Sequence, residues 1–408
     1  MHYRHIINLS FFTFIWGFVG YIFHPLMMKL LSDQHFVQLE FVMSMTGIMG
    51  TIFGWLGMFV NKEITRIGNN QIKQYTLLYV FVRGYMRLMP YIFAGLILLW
   101  WLIWRYFQTI DYMLIMYNMS LVMLAWFGAL IDGLAKARQY YRMININTVM
   151  GHVLKIIIWG ILVYIGAGVW WASTWLLCAG IILFGYNVRT VYTWYPDKHI
   201  DLHFAHQLNQ DFFQIRTDLI INTILIVLLA ILLNIDIMLA SKVLAPDQAT
   251  IYASISVIAK FVFFVAGSVE TVYYTYLVAN PKIDLKLYVK PLWWYVLILV
   301  WGLSAIFVLG FYVLENFKIW LGSYTPVLAN LFVYFLVVAI VSLYSKLLIA
   351  HRHIMILIWL TMMIVSMIVW LEWWAYDLYS FVNILSIVMI VMIIMIGVWL
   401  YIYSQDSF

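Results

Sequence analysis

Six ionisable side chains stand inside or at the edges of long apolar runs of this sequence, where charge has a chemical use or a structural excuse. Asp236 lies in TILIVLLAILLNIDIMLA beside Asn234. A carboxylate inside a lipid-spanning helix costs about 2.5–3.5 kcal/mol on insertion scales, so it faces a cavity or a partner unless it reaches water. Asp236 is about eight residues, roughly 12 Å of helix, from the end of its run. It therefore reads either as a substrate contact or proton/cation coupling site, or as a residue that snorkels to the surface. Lys260 is deeper. Ser256, Lys260, Gly267, Thr271 and Tyr274 follow helical spacing as one polar, small-residue stripe. A lone ammonium at that depth suits an oxyanion such as a pyrophosphate or an acidic sugar. Glu270 is ten residues further, roughly 15 Å along the axis, too far to pair with Lys260. It is a second coupling candidate beside Asp236.

Arg83 and Arg87, four residues apart, share one helix face. The pair would gather a diphosphate at the cytoplasmic mouth, or it anchors headgroups. Lys155 carries the same two readings at greater depth. His199, His203 and His206, with Asp197 and Asp201, have metal-like spacing, but exposed polar segments produce this often and the reading taken is no metal site. Cys178 is the only cysteine, which excludes an internal disulfide and a multi-cysteine metal site. No phosphate-cradling glycine loop ending in lysine is present, so no ATP site and no cofactor is expected; proton or sodium coupling is the energy source that fits.

The elements that position these residues follow from composition. Of 408 residues, 66% are hydrophobic and 10% charged. A soluble chain carries about 25% charged residues, so lipid is the solvent that fits. Twelve apolar segments span about 6–31, 37–60, 85–105, 110–133, 143–165, 168–189, 217–243, 250–279, 291–314, 326–349, 354–375 and 378–403. They are too long and too continuous for barrel strands, and a helix satisfies its own backbone in lipid. The first is read as a retained span rather than a cleaved leader.

Lysine and arginine set the orientation. Fifteen fall in the segments on the N-terminal side of the membrane and four (Lys29, Arg105, Lys242 and Lys318) on the other. This predicts both termini in the cytoplasm, and the net charge of +6 marks that face rather than a nucleic-acid surface. The longest loop, Thr190 to Arg216, is cytoplasmic. Leu208, Phe212 and Ile215 give it an amphipathic helix lying on the membrane face.

The halves on either side of this loop resemble each other. Lys29-Leu30-Leu31-Ser32-Asp33 ends the first span, and Lys242-Val243-Leu244-Ala245-Pro246-Asp247 ends the seventh. Leu134-Ala135-Lys136-Ala137-Arg138 is matched by Leu348-Ile349-Ala350-His351-Arg352 at almost the same offset along the chain. The expected fold is all-α and polytopic: about twelve transmembrane helices in two six-helix lobes related by an internal repeat. The lobes are 1–192 and 217–408, joined by a connector at 193–216.

Asn234-Ile235-Asp236-Ile237, the turn Leu244 to Asp247, and the following Gln248-Ala249-Thr250-Ile251-Tyr252-Ala253 carry a family resemblance. With the matching turn after the first span, they resemble the multidrug/oligosaccharidyl-lipid/polysaccharide exporter superfamily, and within it the O-antigen type polysaccharide flippase branch. The usual glycine after the turn is Val37 in one half and Thr250 in the other. The resemblance implies an inner-membrane flippase, not an enzyme, that moves a polyprenyl-diphosphate-linked oligosaccharide for surface polysaccharide biosynthesis by alternating access. It implies Lys260 and Arg87 on the diphosphate and Asp236 on sugar or a coupled ion. Its partners would be membrane lipid and the polymerase and glycosyltransferases of the pathway, with no nucleic acid. Two other readings stand: a cation-coupled multidrug antiporter of the same superfamily, and a polytopic polysaccharide polymerase or glycosyltransferase. Very short outer loops disfavour the last.

Overall fold

In the computed structural model the described residues are 23–24, 26–68, 70–107, 112–138, 140–166, 169–195, 199–260, 324–350 and 355–406. Glu270, Gly267, Thr271 and Tyr274, the whole segment expected at 291–314, and most of those expected at 6–31 and 250–279 lie outside them. The described residues form ten helices of regular length: α1 (Asp33–Ile67), α2 (Gln71–Phe107), α3 (Tyr112–Ala137), α4 (Tyr141–Tyr164), α5 (Val169–Thr193), α6 (Leu202–Val243), α7 (Pro246–Lys260), α8 (Thr325–Ala350), α9 (Met355–Trp374) and α10 (Leu378–Asp406). Residues 26–30 add a further helical turn ahead of α1. No strand occurs among the described residues. Four stretches there are long and apolar enough to cross a membrane: Thr223–Val243, Thr325–Ser342, Ile356–Trp374 and Leu378–Met395.

Several helices outrun their expected spans. α2 has 37 residues, roughly 55 Å, against the ~30 Å of a bilayer core. α6 has 42. The segment around Leu208 belongs to one continuous helix with the seventh span. It is the opening of α6, which runs unbroken through the seventh span, because no glycine or proline interrupts Leu202 to Val243. Asp201 starts this helix: its carboxylate Oδ1 accepts the Phe204 N–H at 2.9 Å.

The chain packs as two units. One comprises Met1–Ser44 with Ile231–Phe408, the other Met45–Ala230. Their limits fall inside α1 and α6, so they measure compactness, a different quantity from the lobes expected from the repeat. In the second unit Val60, Ile64, Leu77, Leu130, Leu134 and Tyr195 form a buried cluster, covered by Trp194, Phe204 and Leu208. Arg138 ties this end together. Its Nε and Nη2 donate to Gln74 Oε1 at 3.2 and 2.8 Å, and its Nη1 to the Trp194 carbonyl at 3.3 Å. The guanidinium lies 4.4 Å from the Tyr195 ring centroid. Burial pushes the Tyr195 phenol up to about 12 against the opposing effect of Arg138, so it stays a neutral donor, bonded to Gln74 Oε1 at 3.3 Å.

Helices α1 and α3 cross where neither has a side chain. A Cβ placed on Gly57 would stand 2.6 Å from the Ala129 carbonyl oxygen, and one on Gly133 would overlap the Gly57 carbonyl oxygen. Both atoms are backbone and cannot yield without parting the helices. Gly133→Ala is therefore expected to destabilise by about 1–3 kcal/mol, as overpacking does. The check is thermal unfolding in detergent beside Gly50→Ala, whose added Cβ meets nothing within 4 Å. Equal midpoints for the two variants would contradict the crossing.

Candidate functional site

The site is built on the first unit, where α6 turns back through Leu244 and Ala245 into α7. Pro246 opens α7 at a position that needs no intrahelical N–H partner, and Ala249 N–H closes the first turn on the Ala245 carbonyl at 2.8 Å. The two helices run antiparallel from this turn. Asp236 lies about 10 Å before it and Lys260 about 21 Å after it along the respective axes. Side chains of a helix lean toward its N-terminus. Asp236 therefore leans away from the turn and Lys260 leans toward it, and the long lysine closes the difference in depth.

They meet as an ion pair. Lys260 Nζ donates to Asp236 Oδ1 at 2.7 Å. On the other carboxylate oxygen, Tyr252 Oη donates to Oδ2 at 2.9 Å and Ser256 Oγ at 2.7 Å. Asp236 has no solvent exposure, Ser256 and Tyr252 have none, and the Lys260 side chain keeps 13%. Lys260 Nζ also stands 5.3 Å from the Phe335 ring centroid on α8, a cation–π distance. Tyr252 packs edge-on against Phe381 of α10 with centroids 4.8 Å apart. Tyr334 Oη reaches the Leu232 carbonyl at 3.4 Å. One carboxylate thus fastens α6 to α7, and the rings around it fasten both to α8 and α10.

This corrects two expectations. Asp236 does not snorkel, because it is fully buried with both oxygens occupied. Lys260 is not a lone ammonium, because the carboxylate lies within hydrogen-bond distance. Hydropathy assigned each residue a depth in its own span, and depth alone hides that the two side chains lean toward each other. Ser256 belongs to the same cluster. Asn234 is half-buried on α6.

The remaining candidates sit elsewhere. Arg83 and Arg87 are exposed along α2, and Arg83 Nη1 donates to Tyr79 Oη at 3.3 Å one turn away. Lys155 is half-buried on α4. His199, His203 and His206 are exposed at the start of α6, and Asp201 serves as that helix's cap. Among the described residues no three metal-ligating side chains converge.

A second buried acid–base pair was not singled out from the sequence. Glu40, on α1, is 1% exposed, and its Oε1 accepts from His24 Nδ1 at 2.5 Å. The sequence carries a signal: Glu40 stands among apolar residues in Leu39-Glu40-Phe41-Val42, as Asp236 does in its own run. Helix α7 also leans on this N-terminal segment. Thr250 Oγ1 shares its hydrogen between the Pro246 carbonyl at 2.9 Å and the Asp33 carbonyl at 3.3 Å, and Ser254 Oγ, which reaches the Thr250 carbonyl at 2.7 Å, stands 2.8 Å from Met28 Sδ.

A buried pair with one partner removed leaves an uncompensated charge, at a cost of about 3–5 kcal/mol. Lys260→Met alone and Asp236→Asn alone are expected to lower thermal stability by that order. The double variant is expected to recover most of the loss, since replacing both charges is often near neutral. Unfolding midpoints that simply add would show that the two groups do not meet.

No family model matches the chain, and no curated protein matches it. Solved structures do. An inward-facing multidrug resistance MATE family transporter of the MOP superfamily superposes with a TM-score of 0.64 at 13% identity, over 96% of this chain and 96% of that one. A MOP superfamily transporter from Pyrococcus furiosus, described as having a binding pocket of reverse polarity, gives 0.61 at 13% over 97% and 94%. The lipid II flippase MurJ, in an inward closed conformation, gives 0.64 at 15% over 95% and 86%. This multi-pass membrane chain has, nearly end to end, the fold of MOP superfamily transporters.

Proposed function

We propose that the chain is an inner-membrane flippase that carries a polyprenyl-diphosphate-linked oligosaccharide outward for surface polysaccharide assembly, and acts as a transporter rather than an enzyme. Two six-helix lobes, 1–192 and 217–408, would alternate around the substrate, with both termini cytoplasmic. The observation that carries the reading is the buried ammonium of Lys260, held by one carboxylate in the lipid-spanning layer. An ammonium paired in this way exchanges one charge-assisted acceptor for another when a phosphoryl oxygen takes the place of the carboxylate oxygen, and the second negative charge of the diphosphate calls for a further cation. Asp236 then keeps its bonds to Tyr252 and Ser256 and takes up a proton or a sodium ion. Loading the anion is thereby linked to loading a cation.

Arg87, with Arg83, would collect the diphosphate from the cytoplasmic leaflet along the exposed face of α2, and Lys155 would add to the same field. Glu270 stays a coupling candidate beside Asp236. The pathway's polymerase and glycosyltransferases are the partners this role implies. Structural neighbours include both drug exporters and a lipid II flippase. A second reading, a cation-coupled multidrug antiporter, is favoured by the buried carboxylates Asp236 and Glu40. There a cationic drug would displace Lys260 from Asp236.

The test is a flipping assay in liposomes with a fluorescent polyprenyl-diphosphate oligosaccharide, run under a pH gradient and under a sodium gradient. Wild type is expected to flip the lipid. Lys260→Ala is expected to lose more than about tenfold in rate, since loss of a buried charge contact costs ~2 kcal/mol or more. A wild type that leaves the lipid in place but moves a cationic dye against a gradient would establish the antiporter instead.

A further inference from the structure

Helix α7 has two polar faces, and they are held differently. Tyr252, Ser256 and Lys260 reach Asp236 on α6, and Tyr252 and Lys260 also meet Phe381 on α10 and Phe335 on α8. Thr250 and Ser254 stand roughly 140° further round the helix. They meet the head of α1 and the turn ahead of it. Thr250 Oγ1 lies 3.3 Å from the Asp33 carbonyl, and Ser254 Oγ lies 2.8 Å from Met28 Sδ. Thr250 and Ser254 are both buried. Under the offset between Lys29 and Lys242, Asp33 corresponds to Pro246. Thr250 Oγ1 thus touches equivalent carbonyls at two related helix heads, Pro246 on its own and Asp33 on the other.

The two faces cost different amounts to part. Each hydroxyl on the second face already has an acceptor inside α7: the Pro246 carbonyl at 2.9 Å for Thr250, and the Thr250 carbonyl at 2.7 Å for Ser254. The Asp33 carbonyl belongs to the first turn of α1, whose ladder supplies it with an N–H. A thioether is a weak acceptor in any case. Separation along this seam strands no buried donor and no charge. Separation of α7 from α6 would strand a carboxylate without solvent exposure, which is expensive.

We propose that the seam between α7 and residues 28–33 is the outer gate of the transporter, and that α7 opens it by moving with α6, α8 and α10 as one body. The place fits the role. On the expected topology the turn at Leu244 and Ala245 is at the outer surface. Ser254 is six residues nearer that surface than Lys260, roughly 9 Å along α7. The seam therefore covers the Asp236–Lys260 pair from outside. Residues 28–33 are part of the proposed first lobe by sequence, yet they pack with Ile231–Phe408. This is a contact that the lobes must surrender when they part outward, and it is the one whose loss leaves every polar group satisfied.

This inference rests on the transporter reading but not on the cargo. Its test uses the full chain in a Cys178→Ser background. Spin labels on Gln34→Cys and Asp247→Cys, exposed at the heads of α1 and α7, measure the seam by pulsed EPR in nanodiscs. A second pair, on Asp247→Cys and the exposed Tyr376→Cys, measures α7 against the turn between α9 and α10. Ser254→Phe overpacks the seam. It is expected to move the 34–247 distances several ångströms longer and to leave the 247–376 distances unchanged. In a separate protein, Met28→Cys and Ser254→Cys are bridged by a short bis-methanethiosulfonate reagent. Bridging is expected to abolish transport, whether of polyprenyl-diphosphate oligosaccharide or of a cationic dye, and a reductant to restore it. Unchanged 34–247 distances, equal shifts in both labelled pairs, or transport that survives bridging overturns the proposal. Should Ser254→Phe fail to fold, the bridged pair decides alone. Bridging that blocks dye movement in a protein that never flips the lipid would sink the flippase reading and leave the gate standing.

Discussion

A carboxylate without solvent exposure must be answered by donors or be neutral, and in this chain the answer to Asp236 organises its surroundings. Its three donors, Tyr252, Ser256 and Lys260, all come from α7, spaced four residues apart on one face. A slip of α7 by one residue would rotate all three away together. The pair therefore sets the register between α6 and α7, and Phe335, Tyr334 and Phe381 extend that register to α8 and α10. Apolar surfaces in lipid have no comparable preference for one register, because lipid tails are as apolar as leucine.

The same interaction makes the region a candidate for movement. An ion pair buried in lipid contributes little to net stability but a great deal to specificity, because either charge left alone is expensive. An arrangement of this kind has two acceptable states: both charges together, or both separately compensated. Partner exchange with an anion on one side and a cation on the other fits that requirement.

Much of the architecture was legible in the sequence, and the reasons are physical. Apolar length marked the helices, and the turn at Leu244 to Asp247 fell where α6 gives way to α7. The turn at Ser32 and Asp33 likewise falls at the start of α1. Helix ends were less legible, because hydropathy reports where lipid stops and not where the helix does. α1 continues to Ile67 and is ended by Gly68 at φ 68°, while the connector runs into α6 because no residue breaks it. In the site, Asp236, Lys260 and Ser256 were visible singly as polar residues in apolar runs, but their convergence was not, since it depends on the lean of side chains on two antiparallel helices. Tyr252 and Glu40 are buried, but hydropathy alone gives neither a partner. The fold itself does not choose the cargo: drug exporters and a lipid II flippase share it at 12–15% identity with this chain. On the proposed function, that choice falls to Lys260 and its neighbours.

The central claim is that Lys260 leaves Asp236 to hold an anionic headgroup. The most direct measurement is a cryo-EM structure of the full chain in lipid nanodiscs with a polyprenyl diphosphate. The account predicts diphosphate oxygens within hydrogen-bond distance of Lys260 Nζ, with Nζ moved beyond ion-pair distance of Asp236. Bound diphosphate elsewhere, with the Lys260–Asp236 pair intact at its present 2.7 Å, would contradict it.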